Sequence, residues 1–304
     1  MSPLLSVGIP AYDRPAGLER AARSVLAQDL GDLELLISDD ASPDPAVAEV
    51  GERLARADER VRFTRQPRNL GHAGNYRWVL GAAQAEHFMW LADDDWLDAG
   101  YARRCLDVLL SDRAAVLVWG LARYYEGGQH VVDERPIDLT SARPAARVVR
   151  YFWRVSMNGP LFGVVRRRDL DAAPFRDVVG GDWFVIAALA ARGKVCTLGD
   201  VHVHRSFTGL GSHPERLARS FGLRGLRARH HHVWVAADVV RRVGWADPAF
   251  ARLGATGRLV AALLSGLAVI LRFPGLRLAR ALGLGGLERR AIAWARAGDR
   301  RAVP

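Results

Sequence analysis

The sequence has little sulfur, almost no lysine and no long apolar run. Its two cysteines, Cys105 and Cys196, stand far apart in 304 residues and outside any metal-ligand spacing. That excludes a disulfide-stapled scaffold and suits a reducing, cytoplasmic setting. Lys194 is the only lysine, so the basic character rests on arginine. The apolar stretch Leu259–Leu271 has 13 residues, short of the roughly 20 that a spanning helix needs. The opening run Leu4–Pro10 is strand-length, with no basic segment before it and no small-residue cleavage site after it, and is not expected to be a signal peptide. No repeat and no low-complexity linker interrupts the chain.

What is there is globular in composition, with 50% hydrophobic and 25% charged residues. A chain of this length buries one substantial core, or one domain plus an appendage. The net charge of +10 is unevenly placed: residues 215–304 hold 17 Arg and 5 acidic residues, while residues 1–214 are nearly neutral. We therefore expect a body over 1–214 and a basic helical extension over 215–304 with an anionic partner. For the extension two readings stand: a helical region on an anionic membrane surface, with peripheral location on the inner face of the cell membrane, or a helical hairpin buried against the body. Nucleic acid is not expected as a partner. The run His230–His232 is expected on a solvated helix.

Short apolar runs at Leu4–Pro10, Leu33–Ser38, Val61–Arg65 and His87–Ala92 read as strands. Leu18, Ala21, Ala22, Val25 and Leu26 recur at helical spacing between the first two, and Pro45–Ala57 and His72–Ala85 are helix-compatible. The alternation predicts an α/β fold with a mostly parallel mixed sheet flanked by helices. Residues 115–125 and Leu161–Val165 read as further strands, 126–150 as a variable excursion, Gly181–Arg192 as a helix, and Lys194–His204 as a strand or pair of strands. Ligands in such sheets collect at the carboxyl ends of strands. Polar residues stand there: Tyr12-Asp13-Arg14, Asp39-Asp40 and Asp93-Asp94-Asp95.

Three adjacent carboxylates repel one another and call for a cation nearby. Oxygen ligands suit Mg²⁺ or Mn²⁺, with Mg²⁺ usually shared between one or two carboxylates and substrate phosphates. In a strand Asp93 and Asp95 point the same way. Asp39-Asp40 fits either a helix N-cap or a contact to a base or ribose. His202 and His204 share one face of their strand, where structural roles are at least as expected as functional ones, and Arg205 beside them could neutralise a phosphate.

Ile9-Pro10-Ala11-Tyr12-Asp13-Arg14, Ser24-Val25-Leu26-Ala27-Gln28 and Leu36-Ile37-Ser38-Asp39-Asp40-Ala41-Ser42 resemble the opening of family 2 glycosyltransferases. Asn69-Leu70-Gly71 with Asn75, then Trp90-Leu91-Ala92-Asp93-Asp94-Asp95-Trp96-Leu97, is similar to the family's next block. The Asn-Tyr pair before the acidic block also resembles the abequosyltransferase-like branch, which decorates bacterial surface polysaccharides. The resemblance implies a GT-A (Rossmann-like) fold and an inverting transfer from a nucleotide-sugar to a saccharide or lipid-linked acceptor, with Mg²⁺ or Mn²⁺. It implies that Pro10, Tyr12, Asp13 and Arg14 line the nucleotide pocket with Asn69 and Asn75, and that Asp40 contacts the base beside Asp39. Asp95 would be the principal metal ligand, with Asp93 at the ribose or metal shell, Asp94 in reserve, and His204 near the metal.

An inverting transfer needs a base for the acceptor proton. Family members often carry Glu-Asp late in the domain; here Gly180-Gly181-Asp182-Trp183 stands in that place, so Asp182 is the candidate base, a helix N-cap being the other reading. A sugar nucleotidyltransferase is the runner-up, although residues 8–20 lack a Gly-rich phosphate loop. A non-catalytic basic protein binding nucleic acid or membrane would leave the acidic strand ends unexplained.

Overall fold

The computed structural model describes residues 3–206, 219 and 221–281. Strands β1 (Leu5–Ala11), β2 (Leu33–Asp39), β3 (Val61–Arg65) and β4 (His87–Trp90) are parallel in the order β3-β2-β1-β4. Every residue of β1 and β2 is buried, as expected of parallel strands covered on both faces. Helices α1 (Pro15–Leu26), α2 (Pro45–Ala57) and α3 (His72–Ala82) make the crossovers. α1 and α2 each begin on a proline, which has no N–H to leave unpaired there, and α1 buries Leu18, Ala21, Ala22 and Val25 as its spacing predicts.

Beyond β4 the sheet becomes mixed. The order continues β4-β8-β6-β9-β5, with β5 (Trp96–Leu97), β6 (Ala115–Glu126), β8 (Val164–Arg166) and β9 (Lys194–Ser206), while β7 (Gln129–Asp133) pairs only with β6. β8 runs antiparallel to β4 and β6, β5 antiparallel to β9, and β6 parallel to β9. Lys194–Ser206 is thus one long strand with a register shift opposite Gly120 and Leu121 rather than two. α4 (Tyr101–Ser111), α5 (Pro144–Arg154), the short α6 (Arg167–Leu170) and α7 (Gly181–Arg192) complete the body. The excursion expected over 126–150 is ordered structure, holding β7 and the start of α5.

Helices α8 (Gly225–Arg229), α9 (His231–Arg241) and α10 (Gly254–Ala281) follow, with a π turn and a 3-10 turn between the last two. They do not stand free. α10 packs on α5 and α9, Arg272 donates to the Phe152 carbonyl at 3.0 Å, and Arg176 pairs with Asp247. The expectation of a solvated His run is corrected in part: His231 and His232 are buried, with His231 Nδ1 3.0 Å from the Ala228 carbonyl. Residues 207–218 and 282–304, which include the expected boundary at 214 and much of the arginine-rich end, lie outside the described residues.

The apolar run is also only part of its helix. At about 1.5 Å per residue the 28 residues of α10 exceed the ~30 Å of a hydrocarbon core. The segment Pro248–Arg272 is long and apolar enough to cross a bilayer, and 33% of its most apolar stretch is buried against the body. Arg258 and Arg272, which bracket the run, are turned inward onto carbonyls of Val243, Asp247 and Phe152. The outward face of α10 instead exposes Leu259, Val260, Leu263, Leu264, Leu267, Ile270 and Leu271.

Candidate active site

Loops at the carboxyl ends of β1, β2 and β4 meet as the topology requires. β4 stops at Trp90, and the three acids lie in the following turn, closed by Asp95 N–H to the Ala92 carbonyl at 3.1 Å. A strand would have aimed Asp93 and Asp95 at one partner; the turn sends them to two. Asp93 accepts from Tyr12 N at 2.8 Å and from Arg14 Nη1 at 3.0 Å. Asp95 accepts from Arg205 Nε at 3.0 Å and from Ser206 N at 3.4 Å. Asp94, less buried, is 3.4 Å from Arg14 and hands its carbonyl to Arg20 at 2.6 Å. The cations that three adjacent carboxylates demand are thus partly arginines of this chain. Gly17 makes the packing possible: a Cβ there would sit 2.5 Å from the Asp93 carbonyl oxygen.

Burial still dominates the acids. Desolvation pushes Asp93 up to about 6 against the pull of Tyr12 N and Arg14, and Asp95 up to about 7 against Arg205. Arg205 is itself fixed, donating to Tyr124 Oη at 2.8 Å and the Met157 carbonyl at 3.1 Å, with its guanidinium 4.3 Å from the Phe162 ring.

The second loop is built from Asp39 to Ser42. Asp39 Oδ1 accepts from Ser42 N at 2.9 Å and from the Ser42 hydroxyl, which in turn accepts from Asp13 N at 3.0 Å. Asp39 therefore caps a turn and holds the β1 and β2 loops together, with Arg65 3.6 Å from its other oxygen. Asp40 takes Leu70 N at 2.6 Å, and desolvation raises its pKa. Neither caps α2; Asp44 does, accepting from Ala46 N. Asn69 makes a local turn to Gly71 N, and Asn75 donates to the carbonyls of Ser38 (3.0 Å) and Ala11 (3.4 Å). Asn75 thus braces the strand ends from beneath, while Tyr12 is exposed above them and Pro10 is buried within β1. Asp13 and Ala41 both carry positive φ, 59° and 56°, a strained conformation for side-chain-bearing residues that clusters at functional loops.

His204 is engaged by neighbouring side chains of the protein itself. Its Nε2 is 2.6 Å from Asp98 Oδ1 and its Nδ1 2.9 Å from Tyr125 Oη, so both ring nitrogens are engaged. His202 binds the other Asp98 oxygen at 2.8 Å. Burial would raise Asp98, but the hydrogen bonds from His204 and His202 hold it below the usual range. The ring of His204 stacks on Trp96 at 5.0 Å, and Arg20 covers the Trp96 ring at 4.0 Å.

Asp182 lies in the first turn of α7, whose N-cap is Gly180 with φ 75°. The N-cap reading of Asp182 therefore fails by two positions. Its carboxylate is held by Asn158, Nδ2 to Oδ2 at 2.9 Å, and Asn158 receives Tyr151 Oη at 2.7 Å. Burial raises the Asp182 pKa, and the Asn158 bond opposes it.

Three contributors escaped the sequence reading. Glu134, buried, accepts from Gly159 N, Ser156 and Met157 N and so frames the loop carrying Asn158. Asn158 itself has φ 57°; only its residue type, an Asn before Gly-Pro, hints at a left-handed turn. Asp98, inside a Leu-Asp-Ala-Gly stretch, gave no signal.

Among the described residues no group of three or more His, Cys, Asp or Glu is arranged to hold an ion. Asp93 and Asp95 each already accept two hydrogen bonds, so a Mg²⁺ ion there would share their remaining lone pairs with substrate phosphates rather than sit in an all-protein cage.

A parallel α/β half followed by a mixed half, with acids massed at the strand ends, makes this an α/β protein whose ligand crevice falls at the carboxyl ends of β1, β2 and β4. Residues 6–172 match the description "Glycosyl transferase family 2", and the chain belongs to that family. It is 38% identical over 99 residues, 32% of either chain, to a GalNAc(5)-diNAcBac-PP-undecaprenol beta-1,3-glucosyltransferase of Campylobacter jejuni. It is 32% identical over 117 residues to a chondroitin synthase of Pasteurella multocida, covering 38% of this chain and 12% of that one. These matches span a third or less of the relatives' own length. Among solved structures the chain resembles S. aureus TarS 1-349 in complex with UDP (TM-score 0.54, 14% identity, 81% of this chain and 73% of that one). It also resembles the mannosyltransferase PcManGT of Pyrobaculum calidifontis in complex with GDP-Man and Mn²⁺ (TM-score 0.54, 19% identity, 98% and 80%). At such identities the likeness establishes the GT-A fold.

Proposed function

We propose that the chain transfers a sugar, with inversion, from a nucleoside-diphosphate sugar to an acceptor hydroxyl in surface-polysaccharide or glycolipid assembly. The observation that carries this reading is the Tyr12 N–Asp93 bond at 2.8 Å, which joins the β1 loop to the acidic turn and makes one pocket floor of them. The β1 and β2 loops hold the nucleoside, with Asp40 toward the base and Asp39 and Asn75 shaping the loops around it. Arg14 and Arg205, already beside the acids, donate charge-assisted hydrogen bonds to diphosphate oxygens. Asp95, with Asp93 or Asp94, would hold Mg²⁺ or Mn²⁺, which when bound would supply positive charge against the diphosphate.

Asp182 takes the acceptor proton as the hydroxyl oxygen attacks the anomeric carbon and the bond to the diphosphate breaks on the opposite side. Its raised pKa makes it a stronger base than an ordinary aspartate, and the Asn158 amide fixes the orientation of its carboxylate. Trp183 stands beside it as an apolar wall for a sugar. The family match and the nucleotide-bound neighbours support the donor class. The relative named for an undecaprenol-linked substrate supports a lipid-linked acceptor.

The exposed apolar face of α10 favours docking on an anionic membrane surface, where such an acceptor is presented. α10 then lies in the interface plane, because its inner face is occupied by α5 and α9. A donor screen across UDP-, GDP- and dTDP-sugars with Mg²⁺ and Mn²⁺, read by thermal shift and then by sugar release, tests the donor reading. Stabilisation by none of them in either metal would overturn it.

A further inference from the structure

The fold also gathers cations at the end of the sheet away from the acids. A cavity of about 730 Å³ opens where β6 and β9 begin and β8 ends. Seven cationic side chains line it. Two are neutralised: Arg192 Nε lies 2.9 Å from Asp169 Oδ1, and Lys194 Nζ lies 2.9 Å from Asp112 Oδ2. The other five, Arg113, Arg147, Arg166, Arg168 and Arg252, make no ion pair among the described residues.

Two of those five are built into the body. Arg147 is 5% exposed and donates to the carbonyls of Ala190 and Ser141 at 2.6 Å and of Ala191 at 3.5 Å. Arg166 is 7% exposed and donates to the carbonyls of Ala115 and Leu109. Carbonyl acceptors satisfy N–H groups but leave the positive charge uncancelled, and burial pulls the Arg147 pKa down for want of a carboxylate. Arg113, Arg168 and Arg252 are exposed around them. An arginine-rich composition does not by itself produce this. Elsewhere in the body arginines find acids, as Arg23 and Arg53 do on Glu19, Arg60 on Asp58 and Arg62 on Glu34.

We propose that this cavity is a second anion site that takes a multivalent phosphate group of diphosphate size. Its volume suits a small ligand, like-charged walls concentrate anions, and guanidinium forks match phosphate oxygens two at a time. Lys194 and Arg205 pair with Ala115 and Tyr124, nine residues apart on β6, so at about 3.3 Å per residue the site lies roughly 30 Å from Arg205, the partner of Asp95. It therefore does not compete for the donor. Arg252 lies two residues before the start of α10, so the phosphate has two chemical sources: a soluble diphosphate, or the headgroup of a lipid under the apolar face of that helix.

The test is calorimetric titration of the full chain with inorganic pyrophosphate in chelator, without divalent ions. The Arg14→Ala variant removes a contact of the donor site, and it should retain the pyrophosphate binding that the triple variant below loses. The Arg113→Ala, Arg168→Ala, Arg252→Ala triple variant should bind at least tenfold more weakly at an unchanged melting temperature. Arg168→Glu alone, at an exposed position, should weaken binding in the same direction and guards against misfolding of the triple. Equal binding by wild type and both variants overturns the proposal, as does loss confined to Arg14→Ala. Vesicles of phosphatidylcholine with and without phosphatidic acid separate the sources. A tenfold loss of phosphatidic-acid-dependent binding in the triple variant assigns the lipid headgroup, and equal vesicle binding with lost pyrophosphate binding assigns the soluble anion.

Discussion

Arg205 Nε lies 3.0 Å from Asp95 Oδ2, and the two side chains are 19% and 2% exposed. This pair joins the last strand of the sheet to the acidic turn after β4, across 110 residues of sequence. Removing one partner of a buried pair strands the other, a loss of about 3–5 kcal/mol in comparable cases.

Arg205→Met is accordingly expected to destabilise the protein, and by more as pH rises. The sign follows from Asp95. Its folded pKa, about 7, is above that of an unfolded aspartate, and without Arg205 it climbs further. Below pH 7 the carboxyl is protonated in both proteins and the pair contributes little. Above pH 7 only the wild type ionises Asp95 with compensation, so the deficit grows. Urea denaturation at pH 6 and pH 9 reads the difference, and Asp95→Asn in the Arg205→Met background should restore much of the stability at pH 9. A pH-independent deficit would refute the account.

The acids after β4 and the acid on α7 should separate by assay. Asp95→Asn and Asp182→Asn are each expected to lower kcat by at least roughly a hundredfold, the usual scale for losing a positioned base or charge stabiliser. Only Asp95→Asn should also weaken metal-dependent nucleotide binding, measured by calorimetry with and without Mn²⁺. Near-normal turnover of Asp182→Asn would remove it as the base.

Asn158 offers a finer test. A carboxylate base must be ionised, so kcat/KM should rise with pH along a limb above the ordinary aspartate range, because burial raises Asp182. The Asn158 amide stabilises the charged form, so its loss moves that limb to still higher pH. Glycine is the informative replacement, since it adopts φ 57° without a Cβ penalty. Asn158→Gly should lower kcat/KM most at low pH and least at high pH. A parallel drop at every pH would make Asn158 merely structural.

The sequence revealed the parts of the fold that local rules govern. β1 and β2 declare themselves because strands buried on both faces are apolar throughout; α1 does so because its apolar stripe repeats at helical spacing. The acids at the ends of β2 and β4 could be placed at the strand ends for the same reason. What could not be read depended on distant partners. The two-residue β5 is too short to carry a pattern, and α5 begins inside a stretch rich in turn residues. That Asp93 meets Arg14 while Asp95 meets Arg205 is decided by the turn geometry and the arrival of β9. His204 showed an alternation that placed it correctly on a strand face, but its commitment to Asp98 and Tyr125 belongs to tertiary packing.

The membrane reading rests on one face of one helix, so it should yield to substitutions there alone. Leu263 and Leu267 are 56% and 45% exposed on α10 and lie one turn apart. Changing both to glutamate costs the fold little, because neither is packed, yet it places two charges where acyl chains would be and adds repulsion from an anionic surface. Retention on vesicles containing anionic lipid should fall at least tenfold, with the melting temperature within a few degrees of wild type. Wild-type retention should also weaken as salt rises from 0.05 to 0.5 M, as surface charges separated by more than a Debye length are screened, while the apolar contribution remains. A double variant that still binds vesicles like wild type would leave α10 without a membrane role.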